Sequence, residues 1–274
     1  MNGQGRDAGP AVRRYNSGMD LFHLFRNQRA DILSRPFPAE WLSTLQANVG
    51  HYGRLTASEQ SKLEDDLRVF AAEKTWEGAQ GFEITDEVKV SISALACLLT
   101  LAMPAEPYPN VETIIVYPAA YRAPAGRQMS GGIVEESLEG RLGEAHQRGP
   151  VILSWADVLR EEAAADDGRN LVLHEFAHKL DMRDGEANGV PYLRSRSACD
   201  DWSRVMSAEY ANLKDDVEHG RHTPLDPYGT ANPAEFFAVA TEAFFERGRR
   251  LRERRPELYR VLQDYYGQDT SART

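Results

Sequence analysis

Cysteine is scarce: the 274-residue chain carries only two, Cys97 and Cys199. Two thiols cannot build a disulfide framework or a multi-cysteine zinc site, so small stapled scaffolds are excluded. Apolar runs of membrane length are also missing. The most apolar stretch, "ISALACLLTLAMP" from Ile92 to Pro104, falls short of the roughly 20 residues a bilayer crossing needs. It reads as a buried core helix with Cys97 as a buried thiol. The opening "MNGQGRDAGPAVRRYNSGMD" lacks the apolar block of a secretory signal. Basic charge is in deficit, with 32 Lys and Arg against 42 Asp and Glu, a net charge of −10. That balance argues against generic binding to nucleic-acid phosphates. Together these shortages set the expectation of a cytoplasmic chain that engages neither membrane nor nucleic acid directly.

What is present fits a globular protein with a sizeable core, 42% hydrophobic and 27% charged. Residues 1–18 are rich in Gly, Arg and Asn and are expected to be a disordered tail. Residues 19–266 read as a single domain, and the polar 267–274 as a flexible C-terminal tail. Helical patterning starts near "DLFHLFRNQRADIL" and resumes at "AEWLSTLQANV". "TASE" then offers Thr56 and Glu59 as a capping box before Leu63, Leu67 and Phe70 at helical spacing. Another helix is expected from Asp86 to Leu101. Strand signals are few: "ETIIVYP" from Glu112 to Pro118, and "GPVILSW" from Gly149 to Trp155. The glycine-bearing Ala123–Gly149 connection between them reads as a loop or hairpin near a working surface. The one basic cluster, Glu246 to Arg260, has the interspersed glutamates of a solvated helix face. No repeat or low-complexity segment is present. The pattern is a helix-rich α+β fold with a small β-sheet ahead of a histidine-bearing helix.

That helix is "LVLHEFAHKLDM", Leu171 to Met182, entered through the polar Asp166, Asp167 and Asn170. Residues four apart share a helix face, so His174 and His178 point the same way. Two imidazoles on adjacent turns can bind one tetrahedral zinc. Glu175 is rotated to the flank, where it reaches a water without being a ligand, as a general base should. Leu171, Leu173, Phe176, Ala177 and Leu180 make the same segment a core helix. Two histidines and a glutamate on such a helix are costly to bury unless something satisfies them, and a zinc ion does.

A catalytic zinc needs a third protein ligand and an open position. Downstream, "NPAE" places Asn232 as N-cap, Pro233 at the first helical position and Glu235 at the third. Glu242 follows two turns along the same face. Glu235 could instead close a capping box, and Glu242 could be a surface carboxylate; spacing does not choose between them as ligand.

These residues resemble the Mlc titration factor A family of bacterial zinc metallopeptidases, through "LVLHEFAHKLDM", "DPYGTANPAEFFAVATEAFF", "GFEITDEVKVSISALACLL", "IIVYP" and "RGPVILSW". The metal-site region is also similar to the catalytic domain of anthrax lethal factor, where a tyrosine stands seven residues before a ligand glutamate. Tyr228 stands seven before Glu235 here. The resemblance implies a zincin-like fold with one Zn2+ on His174, His178 and Glu235, and Glu242 in reserve. It implies Glu175 as the base and Tyr228 as a hydroxyl donor to the tetrahedral oxyanion. Asp181 is a candidate to steady a ligand imidazole or to tie the chain after the helix. The implied activity is aminopeptidase-like hydrolysis of peptide or protein substrates. A further implication is binding of an Mlc-type transcription repressor. The alternative is a protein-binding module that sequesters such a repressor, with zinc structural.

Overall fold

The capping box forms: Thr56 Oγ1 accepts from the Glu59 amide at 3.3 Å, and the Glu59 carboxylate accepts from the Thr56 amide at 2.8 Å. The helix it starts buries Leu63, Leu67 and Phe70, as their spacing requires. The computed structural model describes residues 28–103, 108–119, 149–164 and 168–273. The 1–18 tail, the first part of the helix expected from Asp20, the Ala123–Gly149 connection as far as residue 148, and Asp166 and Asp167 lie outside the described residues. The chain divides into two units, Met1–Pro36, in which 28–34 are helical, and Phe37–Thr274. That division falls later than the residue-18 boundary read from composition. Pro36 and Pro38 favour extended backbone and end the first helical stretch before them.

Numbered within the second unit, the elements are α1 Ala39–Asn48, α2 Ala57–Glu73, β1 Thr75–Gly78, α3 Asp86–Leu99, β2 Thr113–Tyr117 and β3 Val151–Ser154. They continue with α4 Trp155–Ala163, α5 Leu171–Asp181, α6 Arg196–Glu218, α7 Pro233–Glu246, α8 Gly248–Arg254 and α9 Pro256–Tyr266. The three strands form one parallel sheet in the order β1-β2-β3. On β2, Ile114 stands opposite Trp76 and Val151, and Val116 opposite Gly78 and Leu153. Ile114 and Val116 are fully buried while Ile115 is not, the period-2 pattern of a strand covered on one face. Parallel strands need a crossover, and α3 supplies it between β1 and β2. The helix-rich α+β expectation holds, with the sheet ahead of the histidine helix.

At the centre, α5 packs against α7 and α3. Phe176 from α5 and Phe236, Phe237 and Phe244 from α7 are fully buried. Cys97, on α3, is a buried thiol as expected. Among the described residues, no helix is long and apolar enough to cross a membrane.

The C-terminal segment corrects the sequence reading. Far from being flexible, residues 268–273 are packed, with Gln268 and Thr270 buried. Gln268 Nε2 donates to the carbonyls of Leu98 and Leu99 at 2.9 and 3.3 Å. Thr270 Oγ1 donates to the Phe244 carbonyl at 2.5 Å. These carbonyls belong to the last turns of α3 and α7, where helical donors run out; the Leu98 carbonyl also accepts from the Leu101 amide at 3.4 Å. A polar tail is drawn in because it supplies the missing donors. Removing residues 268–274 is expected to cost about 2–4 kcal/mol through unsatisfied buried carbonyls, read as a lowered urea midpoint. An unchanged midpoint contradicts this account of the tail.

Candidate metal centre

Helix α5 begins at Asn170, whose side chain accepts from the Leu173 amide at 3.1 Å. Its first free amides are met by carboxylates from elsewhere in the fold. The Asn170 amide donates to Glu242 Oε2 at 2.7 Å, and the Leu171 amide to Glu161 Oε2 at 2.6 Å. Negative charge at a helix N-terminus is favourable through the unpaired N–H groups and the helix dipole. The start of α7 is fixed in the same way, by Asn232 Oδ1 accepting from the Glu235 amide at 2.9 Å. Gly189 lies against that start. A side chain there would put its Cβ 2.4 Å from the Pro233 carbonyl oxygen, and its φ of +77° is one that glycine tolerates best.

With both helices anchored, their side chains converge. His174 Nε2 lies 3.2 Å from His178 Nε2 and 3.0 Å from Glu235 Oε2, and His178 Nε2 lies 3.4 Å from the same oxygen. Donors about 2.0–2.1 Å from one tetrahedral ion stand roughly 3.3 Å from one another. The three observed edges match that figure, so the donor set fits a zinc-sized cation. Among the described residues it is the one group of three metal-binding side chains within reach of a shared ion. Two imidazole nitrogens facing each other beside a carboxylate also repel unless a proton or a cation lies between them. Burial alone would lower the His174 pKa, but Glu242 and Glu235 outweigh it and hold it well above 6.5. Burial would raise the Glu235 pKa, and the two imidazoles instead hold it well below the usual carboxylate range. The cluster is built to retain positive charge.

Glu242, a reserve ligand in the sequence reading, is buried on the other side of His174 and pairs with its Nδ1 at 2.7 Å. It is neither a surface carboxylate nor part of the three-donor set. It fixes the His174 ring so that Nε2 faces Glu235. Asp181 does not pair with His178; its Oδ2 accepts from the Gly189 amide at 2.8 Å and so ties the chain after α5. His178 Nδ1 and Asp181 Oδ1 are both buried without a hydrogen-bond partner among the described residues. Burial pushes the Asp181 pKa up to about 6.

Glu175 is half-buried on α5 beside the histidine pair and takes no part in the three-donor cluster. One turn on, the buried Lys179 donates from Nζ to the Gly149 carbonyl at 2.9 Å, linking α5 to the start of β3. The Tyr228 ring packs against His174, centroids 6.2 Å apart at 44°. Its turn is held by Asp226, which accepts from the Tyr228 amide and from Arg169. The structure therefore brings together His174, Glu175, His178, Tyr228 and Glu235.

Sequence reasoning missed the polar layer behind the centre. Asn170 Nδ2 donates to Glu162 and Glu246 at 2.7 and 2.9 Å, and Glu246 pairs with the buried His51 at 2.9 Å. The available signal was the recurrence of glutamate on one face of α7, at 235, 242 and 246.

A helix-borne histidine pair completed by a glutamate from a second helix, inside a helix-rich fold with a small sheet, defines a metal-dependent hydrolase. The chain belongs to the family described as glucose-regulated metallo-peptidase M90, whose family model matches residues 23–267. Membership implies a metal. An uncharacterised protein of Synechocystis is 40% identical over 236 residues, covering 86% of each chain. Proteins named Mlc titration factor A from Salmonella agona and Salmonella gallinarum are 32% identical over 222 residues, covering 80% of this chain and 83% of theirs.

Replacing Glu242 with alanine frees the His174 ring, and metal affinity is expected to fall about 10–100-fold in a chelator competition. Unchanged affinity contradicts the role given to Glu242. Burial also pushes the Glu161 pKa from 4.5 to about 7. Between those values the folded chain keeps a proton that the unfolded chain has released, so this group's contribution to stability falls as pH rises. In Glu161→Gln the side-chain oxygen still accepts from Leu171 without that loss. Relative to the parent the variant gains up to about 3 kcal/mol between pH 4 and pH 8, measured by urea unfolding. A pH-independent difference contradicts the shift.

Proposed function

We propose that the protein is a zinc-dependent peptidase of the cytoplasm, aminopeptidase-like, acting on peptide or protein substrates. The observation that carries the reading is the three-donor cluster with a half-buried glutamate left over beside it. His174, His178 and Glu235 would hold the ion, and Glu242 holds His174. Zinc, when bound, supplies Lewis acidity that makes water acidic enough to lose a proton near neutral pH and polarises a carbonyl. Glu175 accepts the proton of the attacking water on its carboxylate and delivers it to the leaving amine. Tyr228, packed beside His174, donates a hydrogen bond to the oxygen on which negative charge develops; a donor aimed there favours the transition state over the substrate. Strand β3 is held to α5 by Lys179 and has no second neighbour among the described strands. That edge suits backbone pairing with an extended substrate.

A second reading concerns partners. The name of the Salmonella relatives favours a regulatory role in binding an Mlc-type transcription repressor, with or without turnover. Glu175→Gln tests both. The variant is expected to keep its zinc, by elemental analysis, and to lose peptide hydrolysis by about 10²–10⁴-fold, the usual worth of a general base. Hydrolysis retained at the parent rate overturns the base assignment. Repressor capture by the inactive variant separates binding from catalysis.

A further inference from the structure

The basic run from Glu246 does more than present a solvated helix face. The chain turns at Arg247 between α7 and α8 and again at Arg255 between α8 and α9. Around the first turn lies a cavity of about 640 Å3 lined by six arginines, Arg54, Arg247, Arg249, Arg250, Arg254 and Arg273. They converge from three separate parts of the chain, the turn after α1, the α8 region and the C-terminal segment. Two carboxylates, Glu246 and Glu253, share the lining, and Arg273 is paired with Glu59 at 2.5 Å. Glu246 is engaged by His51 and Asn170, and Glu253 by Arg249 at 3.3 Å. Arg250 meets the ring of His222 at 2.9 Å and engages no carboxylate among the described residues. Arg54 and Arg254 engage no carboxylate among the described residues.

In a chain of net charge −10, such a concentration of positive charge is not a by-product of composition. Converging like charges repel, and an anion removes that cost. The planar guanidinium fork matches phosphate oxygens two at a time, which an ammonium does not. The volume lies in the range of about 300–1,000 Å3 typical of small-ligand sites. The wall is also pre-formed. A Cβ at Gly248 would come within 2.3 Å of Thr270 Oγ1, so α8 and the C-terminal segment lie in direct contact there.

We propose that this cavity binds a phosphorylated small molecule carrying a di- or triphosphate group. The cavity is separate from the candidate metal centre. Glu246, on its wall, ends α7, while Glu235 lies eleven residues earlier, roughly 16 Å along the helix at 1.5 Å per residue. The two sites share that helix, and the carboxylate of Glu246 meets the Asn170 side chain that caps α5. The proposal does not depend on peptidase activity.

The test is calorimetric titration of the full metal-loaded chain with inorganic pyrophosphate at low salt. One-to-one saturable binding is expected, weakened about tenfold by Arg54→Ser and about tenfold by Arg254→Ser, the usual worth of one charge-assisted contact. Arg204→Ser, at an exposed arginine paired with Asp201 outside the cavity, should leave it unchanged. Absence of saturable binding overturns the proposal. So does binding that survives both cavity variants and disappears in His178→Ala, which reports capture by the metal. A short single-stranded oligonucleotide that displaces pyrophosphate and binds more tightly overturns the small-molecule assignment.

Discussion

The centre depends on α7 lying against α5 so that two of its carboxylates bracket one imidazole. Glu235 and Glu242 are seven residues apart, two helical turns, and therefore share a face. His174 occupies the space between them, with Nδ1 on Glu242 and Nε2 toward Glu235. That contact fixes the ring, and the fixed ring gives the shared focus with His178 its geometry. Shifting α7 by one turn would exchange the partners and dissolve the three-donor set. The packing of α5 against α7 is thus a condition for the chemistry as well as a source of stability.

Burying this much charge is unfavourable unless every group has a partner. Around His174 the fold meets the requirement by layering. Behind His174 stands Glu242, which also accepts the Asn170 amide, and behind Asn170 stand Glu162, Glu246 and His51. Burial raises the pKa values of Glu161, Glu162 and Glu242 together, the electrostatic signature of carboxylates crowded around one helix start. A metal dication at the front of the network would offset negative charge that the apolar core cannot.

Much of this was legible in the chain. A four-residue histidine spacing on an apolar helix states its own geometry, and the caps at Thr56, Asn170 and Asn232 mark helix starts by local chemistry alone. β2 and β3 announced themselves through β-branched runs. β1, "TWEG", did not, because its exposed residues show no alternation and its pairing with β2 is set by tertiary contact. The tail misled because polar composition is ambiguous: Gln268 and Thr270 are drawn inward by helix-end carbonyls that only the folded helices present. The role of Glu242 was hidden for a similar reason, since helix phase puts it on the correct face without saying which atom of which ring it meets. The arginine-lined hollow becomes visible only when the turn at Arg247 and the returning C-terminus place Arg54 and Arg273 beside α8.

The most direct measurement is a crystal structure of the zinc-loaded protein with an anomalous difference map at the zinc edge. The account predicts one peak bonded to Nε2 of His174, Nε2 of His178 and a carboxylate oxygen of Glu235, at about 2.0–2.2 Å, with Glu242 still on Nδ1 of His174. A peak bonded to Glu242, or no peak among these side chains, contradicts it.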